Sequence, residues 1–335
     1  MTTVPRVTVL LPCRNAEESL DEALESIRRQ TFGEFEVLAV NDGSLDRTGE
    51  ILREWERRDP RVRCIQTPPR GIVHALNLAT EHARGEFLAR MDADDIAEPP
   101  RLEEQVGMLD THTDLIACGA LIRYFPRASV RDGALRYEEW INSVVSPEEI
   151  ERDLFVECPI PHPTLVLRRD TLEQVGGYRD NGWPEDYDLV LRLWEAGHRF
   201  GKVPQVLLNW RESAFRLSRV DSRYDESAFR RCKVHYLINR IAGRKVVVCG
   251  AGPVGKAFCL ALQTNGYTIA AFLDLDRRKI GQTVHGTRVL HPDEVGDFRD
   301  CYLLAAVGSA KGRNEIRQMW KEAGFREPEQ CCAVA

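Results

Sequence analysis

The sequence predicts an α/β protein: a mostly parallel sheet with flanking helices, followed by a smaller α/β domain of similar kind. Three observations carry that expectation. Short apolar runs of strand length alternate with segments of helical period through the first hundred residues. Proline, asparagine and glycine punctuate the ends of those runs. A second series of strand, glycine turn, helix and strand begins at Lys245.

The elements follow in order. Thr8-Val9-Leu10-Leu11-Pro12 reads as a buried strand ended by proline, with Asn15 as N-cap of a helix carrying Leu20, Ala23, Leu24 and Ile27. Phe35 to Val40 is the second strand and runs into Asn41-Asp42-Gly43-Ser44; a helix with Ile51, Leu52 and Trp55 comes next. Val62 to Ile65 is a third strand, Ile72 to Ala83 a helix, and Gly85 to Ala89 a short strand ending in Arg90-Met91-Asp92-Ala93-Asp94-Asp95. In such sheets ligands bind beyond the carboxyl ends of the strands, where Pro12, Asp42 and Asp92 fall. Residues two apart at a strand end share a side, so Asp92 and Asp94 converge while Asp95 faces away. Two converging carboxylates repel unless a cation lies between them. A hard divalent ion with oxygen ligands fits, and it keeps positions open for phosphates.

Pro12-Cys13-Arg14-Asn15, Asn41 to Thr48, Gly71 to Asn77 and Asp92-Ala93-Asp94-Asp95 resemble, in order and spacing, successive motifs of family 2 glycosyltransferases with the GT-A fold. The resemblance covers residues 5 to about 220. It implies a nucleotide-sugar donor, a divalent metal, Mn²⁺ or Mg²⁺, and inversion at the anomeric carbon. Among the donor-binding residues it implies, Pro12, Asn15 and Gly43 lie in the matched loops, and Asp42 binds the base or ribose of the donor. Asp92 bonds the ribose or supports the metal. Asp94 is the direct ligand to metal and diphosphate. Arg70 and Arg90 flank the site and balance phosphate charge, and Asn77 either bonds within the site or holds a helix. UDP is the donor nucleotide by family habit.

Beyond Asp95 a helix through Leu102, Val106 and Leu109 and a strand from Leu115 to Ile122 are legible, whereas residues 126–150 hold no clear motif. Pro159, Pro161 and Pro163 stiffen a loop around His162, which resembles the family's position near metal and acceptor. Glu185 and Asp186 open a helix that ends at Gly197. The pair matches the family's base motif, which makes Asp186 the base that takes the proton of the acceptor hydroxyl and Glu185 the residue that orients it. Trp210-Arg211-Glu212-Ser213 through Arg219 resembles the loop that closes over the diphosphate. The family's usual histidine is replaced there by Ser213.

From Arg211 to Lys245 ten Lys or Arg face four Asp or Glu, against a net charge of −6 for the chain. That basic stretch suits phosphates, an anionic acceptor or an anionic membrane surface, and residues 221–243 read as a basic helical linker between a 1–220 glycosyltransferase domain and a 244–335 domain. In the latter, Gly250, Gly252 and Gly255 follow the strand Lys245 to Cys249, and Asp274 ends the next strand nineteen residues after Gly255. This is the order of a nucleotide-binding turn and its ribose acid. No Tyr-x-x-x-Lys pair occurs. The unit resembles the small Rossmann-like domains of bacterial sugar-modifying enzymes, and ligand binding, oligomerisation or a remnant are all open readings.

Composition bounds the rest. The chain has 335 residues, 43% hydrophobic and 29% charged, as in soluble globular proteins. No apolar run is long enough to span a bilayer, and the N-terminus enters a strand without a signal-peptide pattern. Ten scattered cysteines without a Cys-x-x-Cys pair point to reduced thiols in a cytoplasm, with at most peripheral contact at the inner membrane face. Mild acidity speaks against nucleic-acid binding. The acceptor expected is a saccharide or lipid-linked saccharide, and a homo-oligomer is left open. The competing reading is a nucleotide-sugar sensor or scaffold working through the C-terminal domain.

Overall fold

A computed structural model describes residues 4–213 and 216–335. The chain divides into two compact units. The first takes in the chain to Ile150, Pro159–Asn181 and Glu185–Val220; the second takes in Glu151–Cys158, Gly182–Pro184 and Asp221–Ala335.

The first unit is built on β1 (Val7–Cys13), α1 (Leu20–Arg28), β2 (Phe35–Asp42), α2 (Thr48–Arg58), β3 (Val62–Thr67), α3 (Ile72–His82) and β4 (Phe87–Arg90). These strands pair in parallel in the order β3-β2-β1-β4, so Cys13, Asp42, Thr67 and Arg90 end at one edge. β2 is buried along its whole length, as a strand covered on both faces must be. The chain continues through β5 (Ile96–Ala97), α4 (Arg101–Thr111), β6 (Leu115–Phe125), α5 (Asp132–Ser143), α6 (Pro147–Asp153), β7 (Val166–Arg168), α7 (Arg169–Gln174), α8 (Glu185–Glu195), β8 (Arg199–Arg211) and α9 (Leu217–Val220). The sheet has eight strands among the described residues. It becomes mixed beyond β4, because β7 is antiparallel to both β4 and β6.

A buried carboxylate fixes the entry to β4. Glu36 on β2 accepts Thr8 Oγ1 at 2.9 Å, the Arg84 amide at 2.9 Å, Arg84 Nε at 2.8 Å and Arg63 at 3.1 Å. Burial alone would raise its pKa, but those donors outweigh it and hold it below the usual glutamate value.

One local expectation is corrected, and two stretches that the sequence left unread are filled in. Asn15 is not a helix N-cap: its φ is +49°, α1 begins only at Leu20, and its side chain accepts the Leu45 amide at 2.9 Å instead. The motif-free stretch 126–150 contains α5 and most of α6. The segment before Trp210 is the thirteen-residue β8, whose mid-strand Pro204 breaks the strand pattern in the sequence. The β6–β8 register jumps from Ala120↔Val203 to Leu121↔Val206, so the bulge absorbs the proline.

The second unit opens with α10 (Glu226–Ile241), the helix read from sequence as a linker. It then forms β9 (Val246–Cys249), α11 (Pro253–Thr264), β10 (Ile269–Leu273), β11 (Thr283–Val284), β12 (Thr287–Leu290), β13 (Tyr302–Ala305), α12 (Ala310–Glu322) and β14 (Cys331–Ala333). The strand order is β11-β12-β10-β9-β13-β14, parallel except for the β11–β12 hairpin. α10 buries Ala228, Cys232, Val234, Tyr236, Leu237 and Ile241, so it is a packed element of this unit. No helix among the described residues is long and apolar enough to cross a membrane.

Candidate active site

The acidic turn at the end of β4 is the centre of the first unit's site. Asp92, Asp94 and Asp95 each bring a carboxylate oxygen to within 4.8 Å of the other two. Asp95 therefore points in, against the expectation that it faces away. The chain leaves the strand at Arg90 and turns at Ala93–Asp94, so the two-residue alternation no longer holds. Asp95 is 1% exposed and its Oδ1 accepts the Arg211 amide at 2.8 Å. Burial, then Asp92 and Asp94, push its pKa well above the carboxylate range. Burial and Asp92 push Asp94 up to about 6, with Arg216 and Arg90 pulling the other way.

Arginines back this cluster. Arg90 is 3% exposed and ion-paired with Asp92, so it lies beneath the acids and faces one of them from the protein side. Burial disfavours its charge, but Asp92 more than reverses that. Arg101, from the first turn of α4, donates to the Arg90 carbonyl at 2.6 Å and braces the strand end from below. Arg211 donates from Nε to the Asp94 carbonyl at 2.6 Å and pairs with Glu22, so its guanidinium holds the acidic turn. Arg216, which the sequence placed in the loop resembling the diphosphate-closing one without giving it a role, stacks 4.3 Å from the Trp210 ring centroid and pairs with Glu212 at 3.4 Å. Tyr124 stacks with the same indole at 5.3 Å. In the sequence Arg216 is only one arginine among many.

On the donor side, Asp42 is buried and spends both oxygens on the turn into α3, accepting the Arg70 amide at 2.7 Å and the Gly71 amide at 2.9 Å. Arg14 lies 3.5 Å from it, and the Arg70 side chain is exposed. Gly43 has φ +64°, and a Cβ there would lie 2.5 Å from Pro69 Cδ. Pro12, half-buried in β1, pairs with Val40 across the sheet. The Asn15 amide donates to Ser44 Oγ at 3.0 Å, tying the first loop to the second.

The acceptor side is organised around Tyr178. Asn77 clamps its backbone, donating to its carbonyl at 2.9 Å and accepting its amide at 2.9 Å. Asn77 is thus the holder of a loop, where the sequence suggested a bond within the site or a hold on a helix. His162 is not part of the acidic cluster. The 3₁₀ turn 162–164 buries its ring, and Nε2 meets the Tyr178 hydroxyl at 3.0 Å. Burial, then the Arg90 charge, push the imidazole well below its ordinary pKa, so it is neutral at pH 7. Glu185 is buried and Asp186 half-buried in the first turn of α8. The Tyr178 phenol feels, after burial, the charges of Arg90, Glu185 and Asp186. Arg90 in turn lies in the field of Asp92 and Asp95, with the Tyr178 hydroxyl near it. One turn on, Arg192 pairs with the fully buried Asp188 at 2.7 Å and donates to the Val175 and Gly177 carbonyls, each at 2.7 Å.

In the second unit Gly250 has φ +111°, and a Cβ on Gly255 would lie 1.8 Å from the Gly250 carbonyl oxygen. Gly252 is the N-cap of α11. Asp274 accepts the Ala251 amide at 2.7 Å, the Asp276 amide at 2.8 Å and Lys279 Nζ at 2.9 Å. Its carboxylate closes on its own glycine turn.

Three carboxylates with a buried oxygen of Asp95 left without a hydrogen-bond donor among the described residues form a donor set that suits a hard divalent cation. Known proteins resemble the chain over most of its length. The chain is 29% identical over 244 residues to Bacillus subtilis EpsE, named as a putative glycosyltransferase, covering 71% of this chain and 80% of that one. It is 29% identical over 207 residues to the amylovoran biosynthesis glycosyltransferase AmsE of Erwinia amylovora, covering 61% and 75%. Among solved structures, S. aureus TarS in complex with UDP superposes with a TM-score of 0.54 at 19% identity, over 70% of this chain and 66% of that one. Mannosyltransferase PcManGT from Pyrobaculum calidifontis, in complex with GDP-Man and Mn²⁺, gives 0.53 at 24% identity, over 72% and 64%. The glycosyl transferase family 2 model matches residues 8–176, half of the chain, and the protein belongs to that family of glycosyltransferases.

Proposed function

We propose that the chain is an inverting, metal-dependent glycosyltransferase that moves a sugar from a nucleoside-diphosphate sugar to a hydroxyl of a saccharide or lipid-linked acceptor. The observation that carries this reading is the three-carboxylate cluster at the end of β4, with a buried Asp95 oxygen that meets no donor among the described residues, in the same unit as the α8 acids Glu185 and Asp186. On this reading the cluster serves the leaving group and the α8 acids the nucleophile.

Asp186 takes the proton of the acceptor hydroxyl as that oxygen attacks the anomeric carbon. Its place in the first turn of α8 favours the ionised form through the helix dipole. Glu185 and the Tyr178 loop orient the acceptor. The loops around Asp42, Gly43 and Asn15 receive the nucleotide, and Asp92 the ribose. Asp94 would hold the divalent ion, with Arg216 adding positive charge nearby. When bound, that ion stabilises the charge that develops on the departing diphosphate. TarS is described in complex with UDP-GlcNAc and PcManGT in complex with GDP-Man, and both support a nucleotide-sugar donor here. The name of AmsE supports work on a cell-surface polysaccharide.

The test is Asp186→Asn, with transfer followed by release of nucleoside diphosphate and donor affinity measured by calorimetry. Transfer is expected to fall by about 10³-fold or more while donor binding stays within about threefold. An equal collapse of donor binding would make Asp186 a structural residue and end the assignment.

A further inference from the structure

Asp92 and Asp95 occupy opposite states within the same cluster. Asp92 Oδ2 is ion-paired with the buried Arg90, so one side of its carboxylate is already taken by a fixed cation. Asp95 Oδ1 accepts the Arg211 amide, but its Oδ2 is buried and meets no hydrogen-bond donor among the described residues. Asp95 as a whole is 1% exposed, so bulk water does not reach that oxygen. All three acids nevertheless have an oxygen within 4.8 Å of the others. Two oxygens on one divalent ion of the Mg²⁺ class stand at most about 4.2 Å apart, so a modest closure brings a pair of them onto one ion.

We propose that Asp94 and Asp95 are the pair that holds the cation, and that Arg90 keeps Asp92 out of direct ligation and available to the donor. This rests on the metal-dependent reading above. Strand alternation would pair Asp92 with Asp94; the turn at Ala93–Asp94 brings in Asp95 instead. Arg211 completes the argument. Its amide fixes Asp95 Oδ1 and its Nε fixes the Asp94 main-chain carbonyl, so the backbone that carries both carboxylates is held at this turn. An arginine in place of the metal would leave Asp95 Oδ2 with a donor; Arg90 goes to Asp92 instead.

The experiment is Mn²⁺ binding to the full chain by electron paramagnetic resonance and calorimetry, with and without UDP. Wild type is compared with Asp92→Asn, Asp94→Asn and Asp95→Asn. Asp95→Asn keeps Oδ1 as acceptor for the backbone amide of Arg211 and replaces Oδ2 with an amide nitrogen that does not bind a divalent ion. Asp94→Asn and Asp95→Asn are each expected to weaken Mn²⁺ binding by about tenfold or more, and Asp92→Asn by less than about threefold. Should Asp95→Asn melt early, Asp95→Glu keeps the charge and lengthens the reach, and it is expected to shift Mn²⁺ affinity by about fivefold. Wild-type affinity in both Asp95 variants, alongside a loss in Asp94→Asn, overturns the assignment of Asp95 and leaves the metal reading intact. No Mn²⁺ binding by wild type, with or without UDP, overturns both.

Discussion

Replacing Arg192 by Met is the most informative single perturbation of the acceptor side. Arg192 is 7% exposed at its side chain and Asp188 not at all, so their 2.7 Å pair lies in a low-dielectric interior. Methionine matches the arginine stem in length and apolarity but removes three donations at once: to Asp188, to the Val175 carbonyl and to the Gly177 carbonyl. Asp188 would retain its bond from Asn181 at 3.1 Å but lose its counter-charge. Breaking a buried pair from one side costs about 3–5 kcal/mol, more than the pair itself contributes, because a charge stays buried. We therefore expect Arg192→Met to lose about 3–5 kcal/mol in urea unfolding of the full chain. The double variant Asp188→Leu/Arg192→Met should recover part of that loss, since it removes the stranded charge as well. Activity should fall in the single variant even under folding conditions, because the Gly177 carbonyl adjoins Tyr178. A loss under about 1 kcal/mol, or a double variant less stable than the single one, would refute the reasoning.

Two further outcomes rest on the parallel half of the first sheet. Gly43→Ala combines a φ of +64° with a Cβ 2.5 Å from Pro69 Cδ and 2.7 Å from Pro69 N, so it should cost about 2–4 kcal/mol in thermal or urea unfolding; an unchanged melting temperature would mean the loop yields freely. Glu36→Gln should lose about 2 kcal/mol at pH 7, measured by denaturation. The Glu36 pKa is depressed in the folded state, so the wild-type advantage is present above its ordinary value of 4.5 and fades as pH falls below it. An advantage that persists unchanged at acid pH would show that charge is not the source.

Much of the first unit was legible because its signals are local. Val7–Cys13 and Phe35–Asp42 are short apolar runs with a polar stop, and the stops put Asp42 and Asp92 at the carboxyl edge before any tertiary contact is known. What escaped the sequence is what depends on distant partners. Asp95 turns inward because Arg211, 116 residues later, offers it an amide. His162 is placed near metal and acceptor by resemblance alone, and its contact with Tyr178, sixteen residues on, is not legible in that motif. β8 was missed because Pro204 violates the strand pattern and only the register shift against β6 repairs it. Arg216 gains meaning solely from the indole and the acids around it.

The second unit shows the converse, a motif that its own packing explains almost completely. Gly255 cannot carry a Cβ because the Gly250 carbonyl oxygen would lie 1.8 Å away, and Gly250 cannot because Val307 Cγ1 would lie 2.6 Å away and its φ is +111°. Asp274, the residue at ribose distance in sequence, gives one oxygen to the Ala251 amide and to Lys279. Turn, acid and helix therefore require one another whether or not a nucleotide arrives. Gly252 stands apart: it caps α11, no side chain caps that end, and nothing lies within 4 Å of where its Cβ would be. A helix start with uncapped amides and open space above it is where an anion gains most. The case for a ligand in this unit thus reduces to a single glycine that the fold leaves unexplained, and the rest of the fingerprint adds nothing to it.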